Sequence, residues 1–252
     1  MTMTSILPLA IGLVALLYAS VGHAGATGYI AVMTLLGLEP AVIRPTALVL
    51  NVIVATIASV QFFRAGHFRS GLFWPLAVAS VPCAAAGGAI SLPAEAFEML
   101  VGVVLLASAL RIIRDAWRNR NASVEEHEAA PRKTLAPAWL ALLGGSIGLL
   151  SGLTGVGGGV FLTPALLALD AAPVKRVAAV SAPFILFNSL AGLAGGLVAG
   201  RAIPSVSLPV IAAAVIGGAV GSQLGAFRLP VSTLRWLMAA VLAVAAAKLF
   251  GL

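Results

Sequence analysis

The sequence predicts an all-α integral membrane protein of two inverted repeats, each a glycine-broken hairpin followed by three transmembrane helices, with eight to ten membrane segments in all. Three observations predict it. Of 252 residues, 61% are apolar and only 9% charged. A soluble domain carries about a quarter charged residues, so this chain has too little charge to cover a water-facing surface, and its solvent is lipid. A single hydrophilic stretch, RIIRDAWRNRNASVEEHEAAPRKTLA at 111–136, parts two apolar blocks. The blocks then share a series of landmarks in one order, the mark of an internal repeat.

The first element is the oddest. Residues 6–17 are apolar and Ala24-Gly25-Ala26 resembles a signal cleavage site, but no basic segment precedes it. A similar element recurs at 138–153, so both are expected in the mature protein. Residues 5–38 as one helix would run roughly 50 Å at 1.5 Å per residue, too long for a core of about 30 Å. Glycines interrupt the run at Gly22, Gly25 and Gly28, and its counterpart at Gly155 and Gly157–Gly159. Each block therefore opens with two shorter segments joined at a glycine-rich break.

Three spans follow in each block, at 41–63, 71–90 and 94–113, then at 177–199, 204–225 and 231–250. Each is close to the ~20 residues that cross a bilayer. The landmarks pair across the blocks: Glu39 and Arg44 with Asp170 and Arg176, Asn51 with Asn188, Pro75 with Pro209, Gly87 with Gly221. The organisation is a first repeat at 1–110, a cytoplasmic linker at 111–136 and a second repeat at 137–252.

Five segments per block is an odd number, which turns the second copy over. The excess of Lys and Arg in cytoplasmic loops tests this. With the linker inside, five segments per block put twelve basic residues inside (64, 69, 111, 114, 118, 120, 132, 133, 175, 176, 228 and 235) and three outside (44, 201 and 248). Four per block give ten and five, so the inverted arrangement is preferred. Rows of small residues at Gly144/Gly148/Gly152, Gly192/Gly196/Gly200 and Gly217/Gly221/Gly225 are expected to let helix backbones approach closely in lipid.

Several function classes fall away. The net charge of +7 sits between apolar runs, as membrane topology requires, and implies no nucleic-acid partner. Cys83 is the only cysteine, and His23, His67 and His127 lack metal-ligand spacing, so no metal or other cofactor is expected. Residues 155–159 form no phosphate loop, since no lysine follows, and GHAGATG lacks the strand of a dinucleotide fingerprint. No paired Ser/His or metal motif marks an enzyme.

What remains points to an anion. All eight acidic residues (39, 95, 98, 115, 125, 126, 128 and 170) fall at or near the ends of apolar runs. A cation carrier usually needs a carboxylate within the membrane to offset desolvation, and none sits mid-span here. Backbone N–H groups at a glycine-started helix can approach a ligand, and the helix dipole adds partial positive charge. The candidate binding residues are Gly22, His23 and Gly25 in the first break, Gly155, Gly157, Gly158 and Gly159 in the second, and the paired amides Asn51 and Asn188. His23 can donate to an anion or carry a proton. Arg44, Thr46, Arg176 and Ser181 lie at or after span starts, placed to attract anions or gate the mouths, or simply to anchor the helices. The bland alternative is that the glycines only permit bends and that the amides only cross-link helices.

GLLSGLTGVGGGVFLTPALLAL (148–169), KRVAAVSAPFILFNSLAGLAGG (175–196), and YASVGHAGATGYIAVMTLLGL with VIRPTALVLN in the first block together resemble the TauE/SafE family of sulfite and organosulfur permeases. The likeness covers nearly the whole chain. In the first copy His23 and Ala24 interrupt the glycines and no proline follows as Pro164 does in the second. The resemblance implies a multi-pass protein of the cell inner membrane. It implies secondary transport of a small anion such as sulfite, a sulfonate or sulfoacetate, driven by a proton or sodium gradient. A homodimer in the lipid is compatible with it. The alternatives are a membrane assembly or signalling subunit without transport, and a cation permease, for which the ligands are missing.

Overall fold

A computed structural model describes residues 3–90 and 135–230, with a few isolated positions beyond. The expected spans at 94–113 and 231–250, and nearly all of the 111–136 linker, lie outside the described residues. Helices α1 (Met3–Ser20), α2 (Ala26–Leu35), α3 (Pro40–Arg64) and α4 (Ser70–Ala89) precede the linker. Helices α5 (Pro137–Thr154), α6 (Gly159–Ala168), α7 (Val174–Val198) and α8 (Leu208–Gln223) follow it, and α8 runs on into a π-helical turn at Leu224–Arg228. Among the described residues there is no strand.

Among the described residues, five helices are long and apolar enough to cross a membrane: Ala41–Arg64, Ser70–Ala89, Pro137–Thr154, Val174–Val198 and Leu208–Arg228. The outward side chains agree, with Leu9, Val78, Trp139 and Leu208 all more than two-thirds exposed (68–77%). In water such a surface would drive aggregation; in lipid it is the favourable one. α1, α2 and α6 are the shorter apolar helices. The chain is a multi-pass membrane protein.

Local sequence explains the boundaries. Proline occupies the first turn of α3, α5 and α8, where its missing N–H costs nothing. Gly155 ends α5 at φ 75°, the left-handed conformation that favours glycine at a helix C-terminus. The first break is narrower than the glycines suggest. It spans 21–25, and Gly28 lies inside α2, where an added Cβ would meet the Val14 side chain at 2.5 Å. Gly28 is thus a packing glycine of α2.

Two glycine rows act as expected. A Cβ added at Gly144, Gly148 or Gly152 would lie 2.1–2.2 Å from the carbonyl oxygens of Leu76, Ser80 and Ala84. One added at Gly217, Gly221 or Gly225 would lie 1.8–2.1 Å from those of Gly12, Leu16 and Ser20. Numbering rises together along both pairs, so α5 runs parallel to α4, and α8 to α1. The third row departs from expectation. Gly192 is pressed by α4, where a Cβ added at Gly88 would lie 2.4 Å from the Gly192 carbonyl oxygen, but Gly196 has room, Gly200 sits in a turn at φ 78°, and the second tight contact is Gly195 against Ala85. Helix α7 meets α4 through Gly192 and Gly195 rather than through the whole four-residue row.

At the centre α3 crosses α7. Leu48 meets Gly192, Asn51 reaches Ser189, and Ala58 and Phe62 cluster with Ala178, Ala179 and Ala182. Numbering rises on one helix as it falls on the other, so these two helices are antiparallel. This crossing, flanked by α1–α8 on one side and α4–α5 on the other, holds the two breaks.

Candidate functional site

Each break delivers a short helix whose N-terminus is buried and carries no side-chain cap. Gly25 starts α2 at φ 104°, and Gly158 starts α6 at φ 86°. Residues 21–30 and 154–164 are buried throughout. The first N–H groups of a helix have no intrahelical acceptor, and an N-cap side chain usually supplies one. Glycine supplies none, so partial positive charge is left inside the protein at two places.

The breaks are neighbours. His23 Nε2 lies 2.7 Å from Thr163 Oγ1 on α6, and Thr163 Oγ1 lies 2.9 Å from Ser181 Oγ on α7. A Cβ added at Gly159 would come within 3.3 Å of the His23 ring. Gly22 packs on the α7 backbone, where a Cβ would lie 2.6 Å from Ala178. His23 therefore joins the first break to the start of α6, and Ser181 is the inner end of that chain of hydroxyls.

The two asparagines both serve the second break. Asn51 Nδ2 donates to the Val156 carbonyl at 3.3 Å and lies 3.4 Å from Ser189 Oγ. Asn188 Oδ1 accepts from Ser80 Oγ at 2.7 Å, and its Nδ2 would lie 3.3 Å from a Cβ on Gly158. Asn188 Nδ2, Asn51 Oδ1 and Ser151 Oγ are buried with no hydrogen-bond partner. A buried amide without partners is costly, so an unpaired donor beside an uncapped helix start marks a place built for something polar. Tyr29, four residues after Gly25, is likewise fully buried with an unpartnered hydroxyl.

The basic candidates lie elsewhere. Arg44 donates to the carbonyls of Gly87 (3.0 Å), Ile90 (3.2 Å) and Gly88 (3.4 Å), and to that of Gly152. It closes the C-terminal end of α4 against α5, and its stem packs on Gly155. Thr46 is buried on α3, and Arg176 is half-buried in the first turn of α7. A cavity of about 380 Å³ lined by Gln61, Gln223 and Arg228 contains none of the break residues. Among the described residues no three His, Cys, Asp or Glu side chains gather to hold a metal.

Sequence pairing matched Asn51 with Asn188 but not their sharing of one break. Thr163, Ser80, Ser189 and Tyr29 went unnoticed. Thr163 follows Gly159 by one helical turn, the only local signal it offers. The rest depend on contacts between distant segments.

Residues 7–249 match the family described as sulfite exporter TauE/SafE. The chain belongs to that family. It is also 37% identical over 244 residues, 96% of each chain, to a probable membrane transporter protein, y4hK, of Sinorhizobium fredii (strain NBRC 101917 / NGR234). No solved structure matches it. The TauE/SafE membership and this relative make the chain a membrane transporter, which points to a non-enzymatic function.

Proposed function

We propose that this TauE/SafE protein is a secondary active transporter of a small anion in the cell inner membrane, with sulfite or an organosulfonate such as sulfoacetate as substrate. The observation that carries the reading is a pair of buried helix N-termini without side-chain caps, whose breaks are linked through His23 and Thr163, with Asn188 Nδ2 an unpaired donor beside one of them. Partial positive charge and free donors in a low-dielectric interior are complementary to an anion. They hold it less firmly than a fixed cation would, which lets it leave again.

The two halves act as inverted repeats that rock against each other about the α3–α7 crossing. Their order of helices is the same, and the antiparallel crossing of α3 with α7 supports the inversion. Arg44 joins α3, α4 and α5 at one mouth, and so can take part in its closing. A proton or sodium gradient drives the cycle.

The test is flux of labelled sulfite, with sulfoacetate in parallel, into proteoliposomes under an imposed proton gradient and then a sodium gradient. Saturable uptake that other anions compete away is expected. Folded protein that moves neither anion under either gradient would overturn this substrate assignment.

A further inference from the structure

We propose that Tyr29 contacts the transported anion, donating its phenolic proton to an oxyanion oxygen at the N-terminus of α2. The inference rests on the anion-carrier reading and deepens it. The notable feature is a hydroxyl with nothing to bind. Tyr29 has no exposed surface, and its oxygen has no hydrogen-bond partner. Buried tyrosine hydroxyls normally find one. The neighbouring phenol does, since Thr27 Oγ1 donates to the Tyr18 hydroxyl at 2.8 Å.

Geometry places the unpaired hydroxyl at the helix start. Side chains on a helix lean back toward its N-terminus, so a long one four residues in covers the capping residue. A Cβ built on Gly25 would lie 2.8 Å from Tyr29 Cζ and 2.9 Å from its hydroxyl oxygen. The Tyr29 N–H itself is spent on the Gly25 carbonyl, at 2.9 Å. The phenolic oxygen thus stands over a glycine-capped, uncapped-by-side-chain N-terminus in a buried setting. Packing alone would be served as well by phenylalanine, which leaves no polar atom unsatisfied. The hydroxyl needs an acceptor that arrives from outside the protein, and the positive end of α2 favours an anionic one. A small oxyanion such as sulfite offers such oxygens. The second break has no equivalent phenol; its unpaired donor is the Asn188 amide. The two breaks therefore hold the anion with different groups.

Tyr29→Phe removes the hydroxyl and keeps the ring. In the full protein, labelled-sulfite flux and the thermal unfolding midpoint with and without sulfite are measured beside the unaltered protein. The expected result is a KM for sulfite raised roughly tenfold to a hundredfold, the loss of one charge-assisted hydrogen bond. The sulfite-induced rise in midpoint should shrink, while the anion-free midpoint stays level or increases. An unaltered KM and an unaltered sulfite-induced rise would overturn the proposal and leave the carrier reading standing. A Tyr29→Phe protein that fails to fold, or whose anion-free midpoint falls with KM unchanged, would show a structural hydroxyl and overturn it equally. Absence of both flux and sulfite-induced rise in the unaltered protein would remove the sulfite-carrier reading and this proposal together.

Discussion

His23 Nε2 stands 2.7 Å from Thr163 Oγ1, a contact between residues 140 apart in the chain. It links the first break to α6 of the other half, and Thr163 passes the contact to Ser181. Thr163→Val should therefore strand two buried polar groups and cost about 1–3 kcal/mol. Thr163→Ser, which keeps the hydroxyl, should recover most of that. Thermal unfolding in detergent compares the two, and equal midpoints would show the link to be idle. If His23 carries the coupling proton, transport by His23→Ala should lose the pH dependence that the unaltered protein shows. An unchanged pH profile removes proton coupling from His23.

Gly158→Leu should abolish transport while the protein still folds and inserts. Its φ of 86° strains any other residue, and a Cβ would meet Phe184 at 2.9 Å and Asn188 Nδ2 at 3.3 Å. The backbone strain costs about 1–2 kcal/mol, small enough for the helices to survive it. The side chain would nevertheless fill the approach to the α6 N-terminus. Membrane-fraction yield and flux are read on the same preparation, and wild-type flux would take the α6 N-terminus out of the anion site.

Asn188→Asp tests the unpaired donor without changing side-chain size. The new carboxylate would oppose an anion beside Gly158 and remove the Nδ2 donor. We expect KM for sulfite to rise at least about tenfold, as loss of a hydrogen bond to a charged group implies. Asn188→Leu should also raise KM and additionally leave Ser80 Oγ unpaired. A KM unchanged in both variants would take Asn188 out of the binding site.

Gly225→Ala should be among the more damaging small substitutions. Its Cβ would lie 1.8 Å from the Ser20 carbonyl oxygen, so α1 and α8 would have to part. Overpacking of this kind costs about 1–3 kcal/mol. Gly71→Ala is the control, since nothing lies within 4 Å of its added Cβ and its backbone is not left-handed. It should be neutral, or stabilising by up to about 1 kcal/mol. Unfolding midpoints of the two variants should differ clearly in that order.

Much of the fold could be read from the sequence because lipid imposes a coarse rule. A span needs about 20 apolar residues, and that rule located α3, α4, α7 and α8 to within a few residues. The breaks were legible because helix 5–38 would be too long and because Gly155, Gly157 and Gly158 cluster. Gly28 misled, since a glycine in a row of glycines does not announce whether it bends the chain or admits a neighbour. The Gly192/Gly196/Gly200 row misled at Gly196 and Gly200 for the same reason: spacing reveals a smooth face, and only the neighbouring helix decides which residue of it is pressed.

By itself the sequence determined the solvent, the spans of α3, α4, α7 and α8, the two glycine breaks and the family resemblance. Each rests on local composition, spacing or motif, which survive without knowledge of the neighbours. Only the tertiary structure decided which groups meet. It brought Asn51 and Asn188 to one break, turned Arg44 onto the carbonyls of Gly87 and Gly152, paired His23 with Thr163, and left Tyr29 and Asn188 each with a buried donor unmatched. Hydrogen bonds act over about 3 Å, and no local pattern encodes which distant residue will stand at that distance.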